Sequence, residues 1–105
     1  MNIIPLGIRE DFHRSLKAAQ IQTLIDIDTW SMDAVSEKLR SEGHHNAGVD
    51  ASLIEYKQFM FLKYMYPART FGMYSRAVDS VWHMHILFTQ NYADFCQIVF
   101  GEFLH

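Results

Sequence analysis

The chain has 105 residues, of which half are hydrophobic and 20% are charged, and its formal net charge is −3. This length and composition predict one globular domain spanning residues 1–105 and exclude a disordered chain. The negative charge disfavours nucleic-acid binding, which needs a basic surface. A single cysteine cannot form an intramolecular disulfide, so the chain suits a reducing compartment and we expect a cytoplasmic protein.

The first seven residues contain no basic group and no long apolar segment, so we do not expect a signal peptide. No apolar run in the chain reaches the length of about 18 residues that indicates a membrane span. We therefore expect no membrane partner.

Apolar residues recur at helical spacing along most of the chain. Residues 8–27 are predicted to form a first amphipathic helix and residues 32–39 a short second one. Residues 41–48 contain two glycines among polar neighbours and predict a loop. Asp50 is a suitable N-cap for a third helix, which Pro67 should end.

Two further helices are predicted near the C-terminus. Ser75 can cap a helix over residues 76–88, and Thr89 can cap another over residues 90–100. Gly101 follows in the position that tolerates a positive φ. The predicted fold is all-α, a small bundle of four to five helices with a C-terminal helical hairpin.

Side chains suited to metal binding or acid–base chemistry are concentrated in that hairpin and after it: Asp79, His83, His85, Cys96 and His105. Zinc binds histidine, cysteine and carboxylate ligands, and a structural site could stabilise so small a domain. We therefore consider these five residues as candidate zinc ligands. The competing interpretation is a buried Asp79–His83 hydrogen bond without metal.

Helix geometry directs the two histidines of this motif, His83 and His85, to different sides of the helix. Asp79 and His83 are four residues apart and share a face, whereas His85 points nearly the opposite way, on the side of Trp82. One regular helix therefore cannot direct both histidines at one ion. We assign His83 to the polar or metal site and prefer a core role for His85, hydrogen-bonded to Tyr92.

The predicted structural core of the hairpin consists of apolar and aromatic side chains that lock its two helices together: Trp82, Ile86, Tyr92, Phe95 and Phe103. Cys96 with a nearby histidine and acid also provides the parts of a thiol nucleophile. Reactive cysteines favour helix N-termini and electropositive surroundings, whereas Cys96 lies in the middle of an apolar helix. A buried, unreactive thiol is the preferred interpretation.

The motif, written Val78-Asp79-x-x-Trp82-His83-x-His85-Ile86-Leu87 and continued by Thr89, Tyr92, Phe95-Cys96 and Phe100-Gly101-x-Phe103-Leu104-His105, resembles that of the glycine-rich domain-containing protein-like family. The resemblance covers residues 76–105. It implies a helical fold and no catalytic activity that could be transferred. This chain departs from the family in having Phe88 where an acid is usual, and in lacking the glycine-rich tail.

These observations predict a small helical interaction module with a structural polar or zinc site. Its partner would be another protein or a second copy of the chain, and a phage or bacterial inhibitor or adaptor fits the description. The alternative is a metal-dependent or thiol enzyme that uses Asp79, His83, His85 and Cys96.

Overall fold

The structure, a computed structural model, describes residues 4–68 and 75–104. Within these ranges, a 3₁₀ turn at Pro5–Gly7 precedes six helices: α1 (Glu10–Arg14), α2 (Ala18–Thr29), α3 (Asp33–Ser41), α4 (Asn46–Met65), α5 (Arg76–Leu87) and α6 (Thr89–Phe100). These ranges contain no strand. The predicted all-α fold is confirmed. Among the described helices, none combines the length and apolarity that a membrane crossing requires.

The longest helix, α4, is the centre of the bundle. It contacts α2, α3 and α5, while α5 and α6 pack as a hairpin and α6 also meets α2. Each of these helices contributes buried side chains to one core, among them Leu24, Ile27, Val35, Tyr56, Val81 and Phe95. The core therefore brings the end of α2 and the C-terminal hairpin together across α4.

The N-terminal region is divided where the sequence predicted one continuous helix over residues 8–27. A break separates α1 from α2, and Gln20 accepts a hydrogen bond from the backbone N–H of Lys17 at 2.8 Å, which caps the start of α2. Leu16 lies in the break and is buried. The apolar periodicity therefore continues through a non-helical segment, which made the break invisible in the sequence.

The remaining boundaries lie close to the predicted ones, with two differences. The loop before α4 is shorter than residues 41–48, because α4 begins at Asn46 rather than after Asp50. Ser75 Oγ accepts a hydrogen bond from the N–H of Val78, as a capping serine does. The predicted cap Thr89 is instead the first residue of α6 and makes no capping bond.

Gly101 ends α6 with a φ of +75°, a conformation that costs a glycine little. The chain then turns away from the helix axis and returns along the hairpin. This turn places the last described residues beside α6 rather than beyond its end.

Candidate functional site

The Asp79–His83 pair lies at the surface of α5. Asp79 Oδ1 and His83 Nε2 are 3.5 Å apart, and the two side chains are 45% and 72% exposed. The prediction of a buried Asp79–His83 hydrogen bond is therefore wrong, because both side chains are exposed. The two residues do share a face of α5, as their spacing of four residues requires. An exposed pair of this kind contributes little to stability.

His85 points to the opposite side of α5 and is completely buried. Its Nδ1 lies 2.7 Å from Tyr56 Oη on α4, and its Nε2 lies 2.7 Å from Asn91 Oδ1 on α6. The indole N–H of Trp30, at the end of α2, donates to the same Asn91 oxygen at 3.0 Å. We call these four residues, Trp30, Tyr56, His85 and Asn91, the His85 network.

The direction of each hydrogen bond in the His85 network follows from one donor. An indole N–H can only donate, so the Asn91 atom facing Trp30 must be the oxygen. The same oxygen faces His85, so Nε2 must carry a hydrogen and donate. In a neutral imidazole Nδ1 is then an acceptor, and the Tyr56 hydroxyl donates to it.

Aromatic rings surround the imidazole and keep it neutral. The Tyr92, Phe95 and Tyr56 rings meet it edge-on, with centroids 5.0, 5.2 and 5.7 Å away. Burial lowers the pKa of His85 to about 4; the hydrogen bond to Asn91 opposes this shift. Burial also raises the pKa of Tyr56 well above its usual range, so its hydroxyl keeps the hydrogen that it donates.

Lys57 fixes the chain segment that carries Trp30. Its Nζ donates to the backbone oxygens of Asp28 and Trp30, both at 2.8 Å, where α2 ends and has carbonyls without helical partners. Burial lowers the pKa of Lys57, and the nearby Asp28 and Asp33 carboxylates oppose this shift. The ammonium group therefore ties α4 to the end of α2 beside the His85 network.

Tyr92 does not form the predicted hydrogen bond with His85, because the two rings meet edge-on and its hydroxyl points elsewhere. Tyr92 Oη accepts from the indole N–H of Trp82 at 2.9 Å and donates to the backbone oxygen of Leu104 at 2.6 Å. This second chain of bonds attaches the segment after α6 to the hairpin.

The five side chains predicted as the hairpin core are buried to different degrees. Tyr92 and Phe95 are fully buried, while Trp82 and Ile86 are partly buried. Phe103 is 46% exposed and its ring meets the Tyr92 ring edge-on, at a centroid distance of 5.2 Å. Phe103 therefore lies at the edge of the hairpin, after the chain has left α6 at Gly101.

The candidate zinc ligands do not come together within the described residues. Asp79 and His83 are at the surface, both His85 nitrogens are engaged in hydrogen bonds, and Cys96 is fully buried. His105 lies outside the described residues. Residues 4–68 and 75–104 contain no group of three or more His, Cys, Asp or Glu side chains that could hold a metal ion.

A surface groove of about 370 Å³ lies where the His85 network reaches solvent, between α2 and α6. We call it the α2–α6 groove; it is lined by Asp26, Thr29, Trp30, Ser31, Asn91 and Ile98. Asn91 therefore belongs both to the buried network and to the surface. Sequence reasoning missed Trp30, Tyr56 and Asn91, because network partners 29 and 61 residues apart leave no local spacing signal.

His85 and His83 should differ in their contribution to stability. His85→Ala removes a buried ring and leaves the Tyr56 hydroxyl without its acceptor, so we expect a loss of about 2–4 kcal/mol in the free energy of unfolding. His83→Ala, the matched control on the same helix, should change it by less than about 0.5 kcal/mol. Urea unfolding followed by circular dichroism measures both; equal losses would contradict the assignment.

The low pKa of His85 predicts the pH dependence of stability. Between its folded pKa of about 4 and the ordinary value of 6.5, the unfolded chain binds the additional proton. The contribution of His85 to stability is thus fully present above pH 6.5 and is lost as the pH falls towards 4, by about 1–3 kcal/mol. A His85→Gln variant should lack this part of the slope; an identical pH profile would refute the prediction.

Comparison with protein families identifies residues 17–105 as a match to the UCP032817-like family model. Comparisons with curated proteins and with solved structures find no match. The resemblance to the glycine-rich domain-containing protein-like family is therefore wrong as an assignment; it rested on the C-terminal motif alone, whereas this match extends over five of the six helices. The chain belongs to the UCP032817-like family.

Proposed function

We propose that this chain is a small protein-binding module and that the α2–α6 groove is its binding surface. The observation that carries the proposal is the combination of a polar and an apolar group there. Asn91 presents its amide at the groove, and Ile98 beside it is 55% exposed. Interfaces commonly combine exposed apolar side chains with a few fixed polar groups that orient the partner.

A second isoleucine extends the apolar surface along α2. Ile25 is 39% exposed and lies four residues before Thr29, which lines the groove, so the two share a face of the helix. Because Thr29 and Ile98 both line the groove, Ile25 lies on the α2 face that continues from it. A partner helix or strand could bury both isoleucines against the groove.

The rigidity of the groove supports binding. Asn91 is held by two hydrogen bonds to Trp30 and His85, and Trp30 is held in turn by Lys57 through its backbone oxygen. A side chain that is already fixed before binding loses little conformational entropy on association. The buried network thus holds the Asn91 amide in a fixed position before the partner binds.

The geometry favours binding over the alternative of an enzyme. A thiol or metal-dependent mechanism needs its groups to meet at one substrate. Cys96 is fully buried, Asp79 and His83 lie together at the surface, and His85 is enclosed by aromatic rings. These positions do not form one cleft, so we keep the module as the proposed function.

A matched pair of variants tests this proposal. Ile98→Glu places a charge in the groove, and Leu87→Glu makes a comparable change on α5 at a side chain that is 74% exposed and does not line the groove. Each protein is used as bait in a lysate of the organism that encodes it. We expect a protein that wild type and Leu87→Glu retain and that Ile98→Glu loses.

Retention of the same proteins by all three baits, with each bait folded by circular dichroism, would refute the groove as the binding surface. Absence of any retained protein would count against a protein-binding role. A concentration-dependent dimer that only Ile98→Glu disrupts would identify the partner as a second copy of the chain.

A further inference from the structure

We propose that the α2–α6 groove binds a basic segment of a partner protein, whose oxygen acceptor meets the Asn91 amide and whose lysine or arginine meets Asp26 and Asp94. This inference rests on the proposed function and gives its partner a chemistry. Three features carry it: the unused donors of Asn91, two carboxylates without a cationic partner, and an apolar wall.

The first feature is the hydrogen-bond accounting at Asn91. A carboxamide oxygen has two lone pairs, and here Trp30 and His85 occupy both. The Nδ2 group carries two donors that meet no acceptor among the described residues, and it lies on the residue that lines the groove. The internal network prevents the amide from turning over, so Asn91 offers donors and no acceptor to a ligand. The matching group is a backbone carbonyl, or another oxygen acceptor, of the partner.

The second feature is the charge at the groove. Asp26 lines it and accepts a hydrogen bond from the Gln22 amide at 2.9 Å; Asp94 accepts one from the Gln90 amide at 2.8 Å. Both donors are neutral, and within residues 4–68 and 75–104 neither carboxylate forms an ion pair. Their negative charge is therefore not compensated locally, which favours a cationic partner.

Asp94 does not line the groove, but helix spacing places it beside the groove. It follows Asn91 by three residues and precedes Ile98 by four, so the three side chains share a face of α6. Asp26 stands across from them on α2. A basic side chain that reaches into the groove thus meets a carboxylate on either helix, which excludes an acidic segment or a nucleic-acid backbone as the preferred ligand.

The third feature is the apolar wall, formed by Ile98 and the partly buried Trp30. This wall requires the partner segment to have an apolar side chain next to its basic one. The expected segment therefore combines an apolar residue, a lysine or arginine, and an exposed backbone carbonyl. Such a segment fits a protein loop or terminus better than a free small cation, which would leave the wall and the amide unused.

Selection from a library of random linear peptides displayed on phage tests the inference with purified wild-type protein. We expect the enriched peptides to share an apolar residue beside lysine or arginine. A synthetic peptide of that sequence, labelled with a fluorophore, then reports binding by fluorescence anisotropy. Its affinity should fall as salt is added, because the carboxylates are exposed.

Two sets of substitutions test the contribution of the carboxylates separately from that of the Asn91 amide. The Asp26→Asn and Asp94→Asn double variant should bind the peptide about tenfold more weakly, while Asp79→Asn, at an exposed carboxylate on α5, should bind as wild type does. Asn91→Asp keeps an oxygen that accepts from Trp30 and His85 but replaces the free donors by a second acceptor. Because it also adds a negative charge, which favours a basic peptide, we attribute a loss of affinity in the folded variant to the missing donors.

Enriched peptides that lack basic residues but still require Ile98 would overturn this inference and leave the proposed function intact. Peptides that bind Ile98→Glu as tightly as wild type would overturn both. Four results would each refute the basic-segment proposal. Two concern the variants: equal binding by the double variant and Asp79→Asn, or undiminished binding by Asn91→Asp. The other two are a selection without enrichment, and a groove that sedimentation shows to be filled by a second copy of the chain. Circular dichroism of every variant establishes that it is folded.

Discussion

The hydrogen bond from the Trp30 indole to Asn91 determines the directions of the hydrogen bonds that hold the C-terminal hairpin to α2 and α4. Since the indole N–H has no acceptor role, it fixes the orientation of the Asn91 amide, and that amide fixes the tautomer of His85. Tyr56 then completes the chain from α4. One donor thereby aligns the end of α2 with three helices, and each buried polar atom obtains a partner that it requires.

Burying a neutral histidine in this way favours one packing arrangement over others. A neutral imidazole needs a donor on one side and an acceptor on the other, and Tyr56 and Asn91 supply them here. A shifted α6 would leave His85 unsatisfied at a cost of about 1–3 kcal/mol. The motif Trp82-His83-x-His85 thus contains two separate elements, an exposed pair with Asp79 and a buried connector.

The sequence predicted those features that depend on neighbouring residues. Helical spacing, the Ser75 cap and the glycine that ends α6 are local, and each is present. The opposite directions of His83 and His85 also followed from helix geometry. The break before α2 was missed because Leu16 continues the apolar pattern through it. The network around His85 was missed because tertiary packing selects it: Tyr56 lies 29 residues from His85, and Trp30, which orients Asn91, lies 61 residues from Asn91.

The tautomer of His85 is the most direct measure of the central claim, since every bond direction in the His85 network passes through it. A long-range ¹H–¹⁵N correlation spectrum of protein labelled at histidine distinguishes protonated from bare ring nitrogens. At about pH 5.5, above the pKa of His85 but below the ordinary histidine value, we predict hydrogen on Nε2 and none on Nδ1. A hydrogen on Nδ1 with a bare Nε2, or a ring protonated on both nitrogens, would contradict the account.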